Sequence, residues 1–472
     1  MTDLSQHAAQ LTIWQNYHDI CYQFEKQYEL NWFTPYLGAF LVTKLFALVL
    51  PLYSALKLTI FGCVIALPLS ILMVTKRAKV DNWLALLGFP LAFGYSFHWG
   101  FLTTILAVPI GIVFICIALE HIQEQTMRRS LLLSGLGVIL LSAHALIFVA
   151  CTAVAISAFF SRLRLPKRPL YAVFPFLVSL SLFFVWQRHV SSDARLQIPP
   201  LWDVNLMRIW RFFSYLLAGV TKTTEGVFGL LLFFTAALTG LRPVRKLYRW
   251  APAIVLGLLF FVTPMQLQGV TFVYGRLAVL FAIFLLFGFE QKKSILNPVL
   301  TRVILTTVVV SWLCILTLRF AAFGKESTDF ERLVDHIPTN RSVLFLTYNR
   351  ESEAVPGTPY LQWGAYYQVR KGGLISWSFA NNFQTIVQYR PGVELRTSKA
   401  LYLDPRRFTW GSNDSKYEFF VAKSPVDRGA ELFRKTTERV ILVANIGEWW
   451  LYRRASVSME NGPCHELAAG DS

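Results

Sequence analysis

Charge is scarce in this sequence and acid scarcer still: 28 Asp and Glu stand against 45 Lys and Arg in 472 residues, and charged residues make up only 15% of the chain. So little charge excludes an ordinary water-soluble surface. Cysteine spacing of the kind that builds a zinc site or a disulfide framework is also missing. Cys63, Cys116, Cys151 and Cys314 fall inside apolar segments and read as small buried hydrophobes, while nothing in the spacing joins Cys21 to Cys464. Neither GxSxG nor HExxH occurs, which argues against a hydrolase of either kind. The chain shows no internal repeat, low-complexity tract, leading signal peptide or anchor.

Apolar surface is present in excess. Hydrophobic residues account for 54% of the chain, including 39 Phe and 14 Trp, and the mean hydropathy is +0.46. Windows at 52–74, 101–119, 227–241, 251–265, 272–289 and 303–323 approach or exceed the roughly 20 apolar residues that cross a bilayer. The stretches 82–97, 130–160 and 170–186 carry internal Gly, Pro or His and predict short or paired helices, tolerated at membrane depth where they line a cavity. The fold class is therefore a polytopic α-helical membrane protein, with about 9–11 transmembrane or re-entrant helices, followed by a C-terminal extracytoplasmic α/β domain.

Basic residues cluster between the apolar runs, at 76–79, 128–129, 162–168, 242–249 and 292–293, whereas the turns at 98–99, 143–145 and 266–271 contain no Lys or Arg. This is the pattern of short cytoplasmic loops, not of nucleic-acid binding. If 82–119, 130–160 and 251–289 are hairpins and 170–186 pairs with 227–241, all five clusters share one side of an inner (plasma) membrane. The segment 303–323 then ends outside, and the first thirty-odd residues also lie outside provided 36–51, with Lys44 and Pro51, does not span. From about Lys325 charged residues become frequent. Strand-like runs at 342–348, 374–379, 417–422, 439–444 and 447–452 alternate with helical patterns at 328–337 and 428–439, the signature of a small α/β domain of roughly 145 residues. The expected organisation is 1–35 as a first external loop, 36–323 as the membrane domain, 324–456 as the external domain and 457–472 as an unstructured tail.

Ionisable groups near the membrane edge are costly and call for partners. On the expected outer side these are Asp3, His7, His18, Asp19, Glu25 and Glu29, then His98 in GYSFHWGFL, His144 in LLSAHALI and Arg276 in FVYGRLAVLF. Each has a plain structural alternative. Asp3 with Gln6 matches a capping box, His18 and Asp19 match a solvated loop, and His98 and His144 match turn residues. Arg276 is the hardest to dismiss, because a guanidinium at that depth needs an anion, either a carboxylate or a phosphate. In the long loop 188–226, Trp202, Leu206, Ile209, Trp210 and Phe213 share one helical face, as in an interfacial amphipathic helix.

The order of these features resembles that of the GT-C superfamily of integral-membrane glycosyltransferases. The resemblance rests on Asp3-Leu4-Ser5-Gln6-His7 in the first loop, Tyr28-Glu29-Leu30-Asn31-Trp32-Phe33 after it, the short helices around FHWGFL, the late Tyr274-Gly275-Arg276 and the closing domain with GEWWLYRR. It implies sugar transfer from a polyprenyl-phosphate donor to an acceptor on the extracytoplasmic face. Asp3 would be the catalytic base or hold a divalent cation, with His7 assisting. The family carries a transmembrane helix before this loop, so either such a helix precedes Met1 or Asp3 is held by other means. In chemical terms, Arg276, with His98, His144, Glu29 and Arg208, Arg211 or Lys222, would bind the donor while a carboxylate takes the acceptor's proton. No dedicated metal site is expected, and metal dependence stays open. The competing classes are a lipid or envelope-polymer transporter, which would need Arg276 but not Asp3, and a scaffold whose external domain binds partners through Tyr366, Tyr367, Trp377 and Trp449.

Overall fold

A computed structural model describes residues 1–161, 169–191, 198–292, 294–382, 384–393, 399–411, 416–436 and 438–459. The basic stretch 162–168, Lys293, Cys464 and most of the tail 457–472 lie outside the described residues. The chain forms two compact units. One contains Phe33–Phe46 and Lys57–Thr317; the other contains Met1–Trp32, Ala47–Leu56 and Leu318–Ser472.

The larger unit is helical. Among the described residues four helices are long and apolar enough to cross a membrane, Leu52–Ala78, Leu102–Gln123, Val173–Ser191 and Pro298–Asp335, and shorter apolar helices cover Ala145–Phe160, Leu247–Val262 and Tyr274–Gly288. The window 170–186, expected to be broken, belongs to one continuous helix, Pro169–Ser191, with Pro175 tolerated inside it. The other two interrupted windows do break. Residues 82–99 form three pieces, Asn82–Leu87, Gly88–Ala92 and Tyr95–Trp99, and 130–160 splits into Met127–Ala143 and Ala145–Ser161 at His144. The short pieces suit close backbone approach. A Cβ on Gly88 would fall 2.5 Å from Pro68 Cα, and one on Gly94 would fall 2.7 Å from the Tyr215 carbonyl oxygen.

Two basic clusters meet at one end of this unit. Arg249 donates from Nη2 to the carbonyl oxygens of Ala78 (2.8 Å) and Phe289 (2.6 Å), and from Nε to that of Phe287 (2.9 Å), closing carbonyls left open where helices end. Arg77 pairs with Glu120, and Arg302 with Asp81 at 3.2 Å. Since Arg276 stacks on Phe101, just before the helix Leu102–Gln123 begins, the Arg276 region and the Arg77–Glu120 pair are separated by about 28 Å of helix.

The smaller unit is built on a five-stranded mixed sheet in the order Val440–Ile446, Trp449–Arg454, Phe419–Lys423, Ser342–Thr347, Leu374–Ile375. The first three strands pair antiparallel, and Phe419–Lys423, Ser342–Thr347 and Leu374–Ile375 run parallel. Side chains alternate between two cores. Val343, Ile375, Phe419, Val421 and Leu451 pack on Phe330, Leu333, Val334, Ile337 and Tyr367, while Leu344, Leu346, Phe420 and Ala422 pack on Leu401, Tyr417 and Leu432. The helix that supplies Phe330 to Val334 is continuous with the last apolar window: Pro298–Asp335 runs for 38 residues where a span and a separate helix were expected. No proline interrupts 299–337, so nothing in the sequence forces a break. The helix expected at 428–439 shrinks to Gly429–Leu432.

The amino-terminal segment is woven into this same unit. Tyr28–Leu30 pairs antiparallel with Val387–Tyr389, the helix Leu4–Gln15 packs on Ala365–Lys371, and Ala9 lies in the first core. Gln6 explains how the helix is held: it accepts from the Phe379 amide at 2.9 Å and donates to the Trp377 carbonyl at 3.1 Å. Gln6→Leu removes both bonds from a side chain only 1% exposed. The variant is expected to lose about 1–3 kcal/mol of stability, read as a lower Tm of the full chain in detergent. Cys21, in the same segment, is disulfide-bonded, a bond that its spacing gave no reason to expect. Cys63, Cys116 and Cys151 are buried free thiols as expected, but Cys314 is exposed.

Candidate functional site

Arg276 lies in the turn Tyr274–Leu277, directly before the helix Ala278–Phe284. Its guanidinium stacks 3.9 Å from the Phe101 ring centroid. Nη1 lies 3.1 Å from His144 Nε2, and Nη2 donates to the Thr271 carbonyl at 3.4 Å. His144 occupies the break between two helices, where its extended backbone still donates to the Leu140 carbonyl. The ring is 1% exposed, with Tyr36 edge-on at 5.1 Å. Because an arginine only donates, His144 Nε2 accepts and the ring proton is assigned to Nδ1. The sequence pointed to an anion for Arg276; the structure places an imidazole, a carbonyl and an aromatic face against it.

Arg276 also lines a small cavity of about 30 Å³ formed by Cys63, Val64, Leu67, Leu91, Ala92, Gly94, Ser96, Phe97, Thr104, Ile105, Val108 and Val279. Among these described lining residues Arg276 brings the single guanidinium, Ser96 and Thr104 bring hydroxyls, and no carboxylate is present. The cavity's apolar walls with few polar groups, rather than its volume, are what it shares with a ligand pocket. His98, expected to converge with His144 and Arg276, packs against Gly219, where a Cβ would fall 2.5 Å from its Cε1.

Arg208 and Arg211, expected to help with a phosphate, are committed elsewhere. Arg208 is fully buried and donates from Nη1 to the carbonyls of Phe260 (2.9 Å), Phe261 (2.6 Å) and Thr263 (2.9 Å), so it caps the helix Leu247–Val262. Its Nη2 pairs with Asp203 Oδ1 at 2.6 Å, and its guanidinium lies over Tyr274. Arg211 pairs with Asp203 Oδ2 and donates to Tyr274 OH at 2.9 Å. Burial alone would raise the Asp203 pKa, but hydrogen bonds and charge from both arginines outweigh it and hold the carboxyl below its usual range. Lys222 pairs with Glu225 at 2.7 Å. The opposite face of the helix Met207–Leu216 carries exposed Trp210 and Phe213, with Leu206 just before it, the amphipathic arrangement its spacing suggests.

Asp3, His7 and Glu29 belong to the smaller unit. Asp3 is the N-cap residue of Leu4–Gln15, yet its side chain makes no capping hydrogen bond, and Gln6 reaches Trp377 and Phe379 instead, so no capping box forms. Asp3 lies near enough to Tyr402 to act on it: burial first, then the Asp3 charge, pushes that phenol well above its ordinary pKa. His7 meets Phe379 edge-on at 5.6 Å. Glu29 is exposed on the strand paired with Gln388. His18 contacts Glu25 at 3.0 Å on the surface, and Asp19 accepts from the Cys21 amide, so both serve a local turn. Among the described residues no three His, Cys, Asp or Glu side chains group as metal ligands.

Sequence reasoning missed a second concavity in the smaller unit, about 380 Å³, lined by Glu326, Asp329, Glu351, Glu353 and Glu448 together with Lys423, Asn349, Ser352, Tyr360 and Trp449. Glu448 accepts from Lys423 Nζ at 2.6 Å and Asn349 Nδ2 at 2.8 Å, and Glu326 accepts from Tyr360 OH at 2.9 Å and Ser352 Oγ at 2.6 Å. Its acids are spread from position 326 to 448, and only the sheet gathers them. Tyr367 and Trp449, expected as exposed partner-binding aromatics, are buried; Tyr366 and Trp377 are half-buried. No family model, curated protein or solved structure matches the chain.

Proposed function

We propose that this membrane-associated chain is a GT-C-type glycosyltransferase that takes a sugar from a polyprenyl-phosphate donor, with Arg276 holding the phosphate. The supporting observation is the apolar cavity in which one guanidinium, backed by His144 and Phe101, is the charged group. A guanidinium in an apolar wall favours an anionic head with a greasy tail. In this reading a base takes the proton of the acceptor hydroxyl as it attacks the sugar C1, and Arg276 offsets the charge developing on the departing phosphate. The smaller unit faces an extracytoplasmic compartment, for which the disulfide at Cys21 speaks, since such bonds persist under oxidising conditions. The membrane-spanning count of about 9–11 segments is reached from the four long helices by adding the three shorter apolar ones and the helices Met127–Ala143 and Lys222–Leu238.

The absence of a carboxylate from the described cavity lining favours a second reading, lipid-phosphate handling without chemistry. Both readings require Arg276. Arg276→Ala is expected to weaken polyprenyl-phosphate binding about a hundredfold, measured by native mass spectrometry of the full chain in detergent. Binding equal to that of the wild type would remove the phosphate role from Arg276.

A further inference from the structure

We infer that Thr104 is the second polar contact for an anionic headgroup in the Arg276 cavity, an assignment that rests on the lipid-phosphate reading above. Thr104 stands in the first turn of Leu102–Gln123, three residues beyond Phe101, on which Arg276 stacks. Both residues line the same cavity. The Thr104 side chain is wholly buried, and its hydroxyl has no hydrogen-bond partner among the described residues.

That state is unusual for a helical threonine, whose hydroxyl ordinarily returns to a carbonyl one turn back. Thr43, Thr235 and Thr306 do so in this unit, donating to Ala39 (2.9 Å), Leu231 (2.6 Å) and Arg302 (2.9 Å). Thr104 sits where the helix begins. The carbonyl four residues back, on Gly100, lies outside the helix and already accepts from the Leu102 amide, and that of Phe101 accepts from the amides of Thr104 and Ile105. A buried donor left without a partner is a cost that folding usually avoids. It becomes useful when a ligand oxygen arrives. A guanidinium and a hydroxyl on one apolar wall suit a phosphate oxygen, the first supplying charge and the second a directed donor; a neutral lipid would engage only the hydroxyl.

The test compares polyprenyl phosphate with neutral polyprenol on the full chain in detergent, using wild type, Thr104→Val and Thr104→Ser. Thr104→Val keeps the branched shape and removes the donor. It is expected to weaken phosphate-lipid binding about ten- to hundredfold, with Thr104→Ser staying within about threefold of wild type. In the absence of lipid, Thr104→Val should melt no lower than wild type, because the hydroxyl it removes satisfies nothing. Undiminished binding by Thr104→Val overturns the assignment and leaves the role of Arg276 standing. A wild type that binds polyprenol as tightly as polyprenyl phosphate overturns both.

Discussion

Asp203→Asn is expected to destabilise the folded chain by about 3 kcal/mol, the lower end of what removing one partner from a buried ion pair costs. Arg208 is the reason. Its guanidinium is fully buried and pairs with Asp203 at 2.6 Å, so the variant leaves a desolvated charge without its counter-charge. The carbonyls of Phe260, Phe261 and Thr263 still accept from it, which keeps the loss from reaching the upper end of that range. Thermal unfolding in detergent measures the effect, and a Tm unchanged from wild type would show that the carbonyls alone suffice. The same pair fixes a pH dependence. Asp203 is held below its ordinary pKa, so its contribution is fully present above the unfolded-state value of about 4 and is lost as pH falls through the lower folded value. Wild type should therefore lose stability on acidification over a range where Asp203→Asn changes less.

Asp3→Asn carries the second large expectation. If Asp3 is the base, sugar transfer falls about a hundred- to ten-thousandfold, while polyprenyl-phosphate binding stays at the wild-type value. The helix that Asp3 precedes is also held by Gln6 and by Ser5, whose Oγ donates to the Gln362 carbonyl at 2.7 Å, and the substitution leaves both in place. A steady-state transfer assay with purified protein decides the matter: a variant that turns over at the wild-type rate removes Asp3 from the reaction. A pure lipid handler would be indifferent to the change and still depend on Arg276.

Much of the helical layout is legible from composition and punctuation. Apolar windows mark the long helices, and Gly88, Pro90 and Gly94 mark the fragments between them. Arg276 and His144 were both conspicuous as ionisable groups in apolar surroundings, and they do meet. That an aromatic face, a carbonyl and an imidazole would gather on this cation was not legible. Asp203 was hidden for a different reason. It reads as one acid in a loop, and nothing local shows that two arginines from the next helix will close on it. Longest-range pairings were the least legible, since Tyr28–Leu30 and Val387–Tyr389 are each only three residues long and no short-range pattern announces that they are partners.

The weaving of Met1–Trp32 into a unit otherwise made from Ala47–Leu56 and Leu318–Ser472 sets a timetable for biogenesis. At about 5–20 residues per second, the ribosome needs roughly 15–60 s to make the roughly 290 residues that separate the two parts. Throughout that interval the first helix, with Ala9, Leu11 and Ile13 buried in the finished protein, has no sheet to rest on and is a natural client for a chaperone. These strands act as the clasp: until Phe419–Lys423 and Trp449–Arg454 emerge, the segment Met1–Trp32 has no finished core to dock on.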